Sequence, residues 1–458
     1  MAFIRKIKKG NSVYLAEVEN YREDGKVKQR VIRYLGKEEN GEVVRKISSD
    51  KIEIESVKKY LDYKILDEIA KRLSLDKLLG DKSKYILLLV YTQLISRKPI
   101  YKLPAYVEQT ALKEILGLEK IIDKQLYEAI DQLDEIEFSD IEKKIFEKLS
   151  EDNKDRKALL VDVTDTYFNG SQADWKSRRG KDGKYSKLIQ IALAVTKEEG
   201  FPILHRVYEG NISNTKIFEE IIGESRLKEF EIIVLDRGMI SYQSIEDLRR
   251  INQQLISGIR VNEKIEREIL SKIEREEIYQ PQHIVKLKNT EVYVKEFDFR
   301  EGKLLAIYNP QLEIIKRQRA MEDIENYKAN KAKFMGYSLI YHTTKYSYDY
   351  VVKTYFQRDI IEKAYREIKT TINLNPIRKY RISHIKAHIK ICYLAYAILS
   401  YIKYKLKGTE ISVVSGLEQL QSVYKVELKS AKENFSWSKI VTLNNQQKKL
   451  LKLLECSV

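Results

Sequence analysis

Ala158-Leu-Leu-Val-Asp162-Val-Thr164 is the stretch on which the fold turns. Its apolar run, interrupted by Asp162, reads as a strand buried on both faces. A carboxylate in the middle of such a strand costs several kcal/mol unless it is paired or holds a metal. Asp162 is therefore a candidate site residue, with a buried ion pair as the alternative reading.

Reading outward, Leu188–Val195 and Phe201–Tyr208 form the next two strands, joined by a turn at Glu199-Gly200. A helix follows over residues 215–224, then the strand Glu231-Ile-Ile-Val-Leu-Asp236. A second helix over 244–251 leads to the strand Leu255–Ile259. Three linked strands, a helix, a strand, a helix and a strand make a mixed α/β sheet. Asp236 ends its strand, and open α/β sheets bind ligands beyond their strand ends. A helix N-cap is the competing role for that residue.

A third carboxylate lies in Tyr355-Phe-Gln-Arg358-Asp-Ile-Ile-Glu362-Lys-Ala-Tyr-Arg-Glu-Ile-Lys369. On one continuous helix at about 100° per residue, Arg358, Glu362 and Lys369 fall within about 60° of Tyr355. A carboxylate flanked by two cations and a phenol suits a metal ion beside a phosphate. Mixed charge at this spacing also occurs on ordinary solvated helices. Asp162, Asp236 and Glu362 together would supply oxygen ligands for hard divalent cations, Mg²⁺ or Mn²⁺. Two such ions about 4 Å apart serve phosphodiester cleavage and strand transfer.

The 458 residues carry a formal charge of +16, which points to nucleic acid before anionic membrane. No apolar run reaches the roughly 18 residues of a membrane span, so no membrane partner is expected. The N-terminus lacks a secretory core, and Cys392 and Cys456 make neither a disulfide framework nor a zinc cluster, which suggests the cytoplasm. The phosphate-cradling G-x-x-x-x-G-K-[ST] loop is missing, so no ATP dependence is expected. The loop with Lys176, Arg178 and Arg179 could track a DNA backbone or be a solvated hairpin. His384 and His388 stand one helical turn apart, but no third soft ligand is near them in sequence.

Residues 1–50 read as a small β region, and 51–150 as a helical domain suited to docking on DNA ends. Residues 155–259 and 336–406 form the core, 260–335 a β-rich insertion, and 407–458 a helical tail. One helix is expected over 347–371, stopped by Pro376, and a long apolar helix over 382–406.

Four motifs in order carry a resemblance. They are Asp162-Val-Thr164, Glu209-Gly-Asn211 with Thr215, Asp236-Arg237-Gly238-Met239, and the Tyr355–Lys369 stretch at Y-x2-R-x3-E-x6-K spacing. With them the chain resembles DDE transposases of the insertion-sequence-four superfamily, in a long branch with a β-rich N-terminus. The resemblance implies an α/β fold with an RNase H-like mixed-sheet core, interrupted by the insertion. It implies metal binding by Asp162, Asp236 and Glu362, and contact of Tyr355, Arg358 and Lys369 with phosphates of transposon ends. Arg237, Lys176, Arg178 and Arg179 complete the expected DNA-binding set. It further implies two Mg²⁺ or Mn²⁺ ions, double-stranded DNA as partner, and a homodimer on paired ends. Some relatives stack a flipped base on an aromatic of the insertion. Tyr279, Tyr293 and Tyr308 are the candidates here, with packing as their other reading. Two rival functions stay open: a nuclease of the same core without strand transfer, and an inactive, domesticated DNA-binding protein.

Overall fold

Short-range alternation builds the first of two compact units in the computed structural model. That unit comprises residues 1–59 and 423–443, and the second comprises 60–422 and 444–458. The structure describes all residues except 1, 11, 24, 40–41, 45–51, 153–155, 169–176, 180–184, 261–264, 266–267, 323–334, 375–376, 378–380, 431–435 and 458. Lys176 and Pro376 fall outside the described residues.

In the first unit, β1 (Ala2–Lys9), β2 (Ser12–Glu23), β3 (Lys26–Glu39) and β4 (Glu42–Val44) form an antiparallel sheet. Ala16 and Val18 of β2 point to its buried side, as a period of two requires. β5 (Ile52–Lys59) pairs with β16 (Tyr424–Ser430), which pairs with β17 (Ser436–Ile440). This corrects part of two expectations: the region from 51 begins with a strand before its helices, and the tail from 407 holds two strands between the helices Val413–Gln421 and Asn445–Leu454. Ile52-Glu-Ile-Glu and Tyr424-Lys-Val-Glu-Leu both alternate as strands do.

The second unit starts with helices. α1 (Leu61–Arg72) buries Leu61, Ile65, Leu66 and Ile69 along one stripe, the spacing of an amphipathic helix. α2 (Ser83–Ile95), α3 (Asp123–Glu135) and α4 (Ser139–Leu149) follow. A later helix, α10 (Ile382–Lys405), packs against α2 and α3. At 24 residues α10 is long and apolar enough to cross a membrane. That overturns the expectation that no such run exists. In the fold, 83% of its most apolar window is enclosed by protein, so it is used as a core helix. Lys390 of α10 donates to the carbonyls of Leu133, Asp134 and Ile136 at the end of α3, a cation at a helix C-terminus.

Ten described strands make the central sheet. β6 (Ala158–Tyr167) lies inside it, with Leu159, Leu160, Val161 and Val163 buried. On one side β7 (Ser177–Arg179) and β9 (Pro202–Glu209) pair with β8 (Tyr185–Thr196), which runs antiparallel to β6. On the other side β10 (Ile232–Leu235) and β11 (Gln254–Ile259) run parallel to β6. The core order is thus β9-β8-β6-β10-β11, the RNase H-like mixed sheet expected. α5 (Asn214–Ile221) follows β9, and α6 (Tyr242–Arg250) joins β10 to β11.

The insertion extends this same sheet. β12 (Ile284–Lys286), β13 (Glu291–Phe299) and β14 (Gly302–Tyr308) add antiparallel strands through β15 (Tyr337–His342) next to β11. α7 (Pro310–Glu322) lies between β14 and β15. Tyr279 meets Tyr293 edge-on at 4.7 Å and donates to the Tyr308 hydroxyl at 3.1 Å. The three candidate tyrosines thus pack on one another.

Candidate active site

The site is built where β6 and β10 run side by side. Their last paired residues are Val161 and Leu235. One step further stand Asp162 and Asp236, on neighbouring strands that lie about 4.8 Å apart. Asp162 accepts a hydrogen bond from the Val163 N–H at 2.8 Å. Asp236 leaves the strand in a turn closed by the Met239 N–H on its carbonyl. Gly238 takes φ +93° there, a conformation open to glycine.

Thr215 donates to the Gly238 carbonyl at 3.2 Å, so the Glu209-to-Thr215 motif holds the Asp236 turn. A Cβ on Gly210 would come within 2.6 Å of the Leu188 backbone, which gives that motif glycine a steric reason. The third carboxylate arrives on α9 (Asp359–Arg366).

The continuous helix expected over 347–371 does not form. α8 (Tyr348–Phe356) stops, a turn at Gln357 and Arg358 intervenes, α9 follows, and Glu367–Thr371 closes as a π-helical turn. Helical spacing alone carried the expectation, whereas tertiary bonds set the break. Arg358 Nη2 lies 2.9 Å from Asp236 and 4.0 Å from Glu362. Lys369 donates to Thr164 Oγ1 at 2.6 Å and to the Asp165 carbonyl at 2.9 Å. The π turn, a feature common at functional sites, swings Lys369 onto β6.

Tyr355 is seated against Gly258, where a Cβ would come within 2.2 Å of the phenol oxygen. Burial raises the Tyr355 pKa, opposed by the charge of Arg358. Tyr365, which the motif reading passed over, holds α9 to the sheet. Its hydroxyl lies 2.7 Å from the Asp162 carbonyl and 2.9 Å from that of Ile191, and burial raises its pKa well above the ordinary value. Its signal was an aromatic three residues after Glu362.

Other cations gather at the Asp236 turn. Arg237 is exposed. The Arg260 guanidinium packs 3.1 Å from where a Cβ of Gly238 would stand. Lys316 of α7 has its pKa lowered by burial and by the charge of Arg237. Sequence reading missed Arg260 and Lys316 because the topology, not the spacing, places them there. Arg178 and Arg179 fall in β7.

The donor chemistry fits hard divalent cations: three carboxylates, with Asp162 inside β6 abreast of Asp236 just past the end of β10. The side chains of Asp236 and Glu362 are 40% and 60% exposed, so both are reachable. Among the described residues, no three His, Cys, Asp or Glu side chains already lie close enough to share one ion. Asp162 and Asp236 are brought together, and Glu362 is joined to Asp236 through Arg358. His384 Nε2 lies 2.9 Å from Asp131 instead of joining a metal set with His388.

A family model described as a transposase DDE domain matches residues 153–398. A second, the N-terminal domain of IS1634 family transposases, matches residues 4–65. The first match spans more than half of the chain, which therefore belongs to the DDE transposases. Together the two matches make it a DDE transposase of the insertion-sequence type. No curated protein sequence matches it. Among solved structures it is similar to a piggyBac transposase in a synaptic complex with hairpin DNA. That likeness has 13% identity and a TM-score of 0.43, covering 79% of this chain and 76% of the other.

Proposed function

We propose that the chain is a transposase of the insertion-sequence-four superfamily, with Tyr355, Arg358, Glu362 and Lys369 as its Y-R-E-K motif. It binds terminal inverted repeats, cleaves phosphodiesters at the element's ends and joins the 3′-hydroxyls to target DNA. The observation that carries this reading is Asp162 abreast of Asp236, with Glu362 tied to the same point through Arg358.

Asp162, Asp236 and Glu362 would hold Mg²⁺ or Mn²⁺, two ions in this proposal. Bound there, such ions make a water or hydroxyl nucleophilic and stabilise the leaving oxygen. The chain's own residues do the rest. Tyr365 and Lys369 fix α9 on β6, and Thr215 fixes the Asp236 turn. Arg237, Lys176, Arg178 and Arg179 would offer cations to the phosphate backbone, and Tyr355 and Arg358 would contact it as well. Joining exchanges one phosphodiester for another, so the reaction needs no ATP. Pairing of two ends calls for a homodimer, and the element's DNA places the protein in the prokaryotic cytoplasm.

The test is Asp162→Asn against a duplex that carries the element's own end. With divalent ion left out, mobility shift is expected to match the wild type, while cleavage in Mg²⁺ falls below detection. Parallel loss of binding and cleavage would contradict the metal role.

A further inference from the structure

Arg358 is only 13% exposed and sits among groups of opposite demand. Its Nη2 lies 2.9 Å from Asp236 and 4.0 Å from Glu362. Its guanidinium stands 5.0 Å from the centre of the Tyr355 ring, which Gly258 backs. Its Nε is buried and has no hydrogen-bond partner. A buried donor without an acceptor is unusual and calls for one.

A planar guanidinium takes carboxylate or phosphate through the same forked geometry. While Arg358 holds Asp236, the oxygen it engages is withheld from a metal. A phosphate would satisfy the idle Nε and compete for the same fork. We propose that Arg358 is a positioning residue that stands in for the metal between Asp236 and Glu362. A DNA phosphate draws it off, so DNA and the divalent ion bind cooperatively. This rests on the assignment of Asp162, Asp236 and Glu362 as metal ligands. Linkage makes the effect reciprocal: the ion tightens DNA by the same factor.

Mn²⁺ titration of the full chain, with free Mn²⁺ counted by electron paramagnetic resonance, tests this without any turnover. Arg358→Gln in the absence of DNA is expected to bind Mn²⁺ about tenfold more tightly than the wild type, within the usual range of site coupling. Arg358→Lys keeps the charge but loses the fork. It is expected to fall between the two, and it guards against misfolding of the glutamine variant. A mixed-sequence DNA duplex, corrected for the Mn²⁺ it binds alone, should tighten Mn²⁺ binding by the wild type and leave Arg358→Gln unchanged. Equal Mn²⁺ affinity in wild type and both variants overturns the proposal. Asp162→Asn separates the two levels. If it binds Mn²⁺ like the wild type, the ligand assignment falls and the exchange falls with it. If it loses Mn²⁺ while the Arg358 variants match the wild type, only the exchange is wrong.

Discussion

Glu142 carries the join between the helices and the sheet. It is fully buried on α4 and bonds His205 and Arg206 of β9, and Arg226. Burial alone would raise its pKa, but the His205 hydrogen bond and the two arginine charges outweigh that and hold it below the usual carboxylate range. Burial pushes His205 below its ordinary value, against the pull of Glu142. Both groups bind a proton less readily folded than unfolded. Their stabilisation is complete above the unfolded histidine value of about 6.5 and is lost as pH falls through the folded values. The thermal midpoint should therefore drop as pH is lowered from neutrality into the acid range. Glu142→Gln should cost about 3–5 kcal/mol at neutral pH, because it strands buried positive charge. Denaturant melts of the two proteins check this, and equal midpoints would contradict it.

At the scale of elements, α9 brings Glu362 to the sheet only because Tyr365 and Lys369 fasten it to β6. Tyr365→Phe removes the hydroxyl that reaches two carbonyls. It is expected to lower stability by about 1–2 kcal/mol. Cleavage should slow while DNA affinity stays put, which a single-turnover assay beside a mobility shift would show. Unchanged single-turnover cleavage would deny α9 this anchor.

The core strands could be read from the sequence because β6 and β10 are continuous apolar runs, and Asp162 broke one of them. The break at Gln357 and Arg358 could not be read, since the pull of Asp236 lies 122 residues away in sequence. β5 was passed over for a related reason. Its partner β16 is more than 360 residues distant, and a short alternation over Ile52-Glu-Ile-Glu says little until that partner is known. Arg260 and Lys316 reach the Asp236 turn through the insertion's place on the sheet, which no local pattern encodes. The acidic residues were legible for the opposite reason: a carboxylate on a buried strand stands out against its neighbours.

At the scale of the whole molecule, +16 of formal charge sets the expected behaviour with DNA. Affinity should fall steeply with salt, by about 0.9 in log K per log salt for each phosphate neutralised. Arg237→Ala should flatten that slope by about one phosphate contact. An unchanged slope in fluorescence anisotropy would remove Arg237 from the interface. The whole account depends on three distant acids acting as one metal-dependent centre. The most direct measurement is joining of a pre-cut 3′-hydroxyl end to a supercoiled plasmid in the presence of Mg²⁺. The wild type should give joined product that disappears with chelator and in each of Asp162→Asn, Asp236→Asn and Glu362→Gln. Joined product at the wild-type level from any one of those three variants would contradict it.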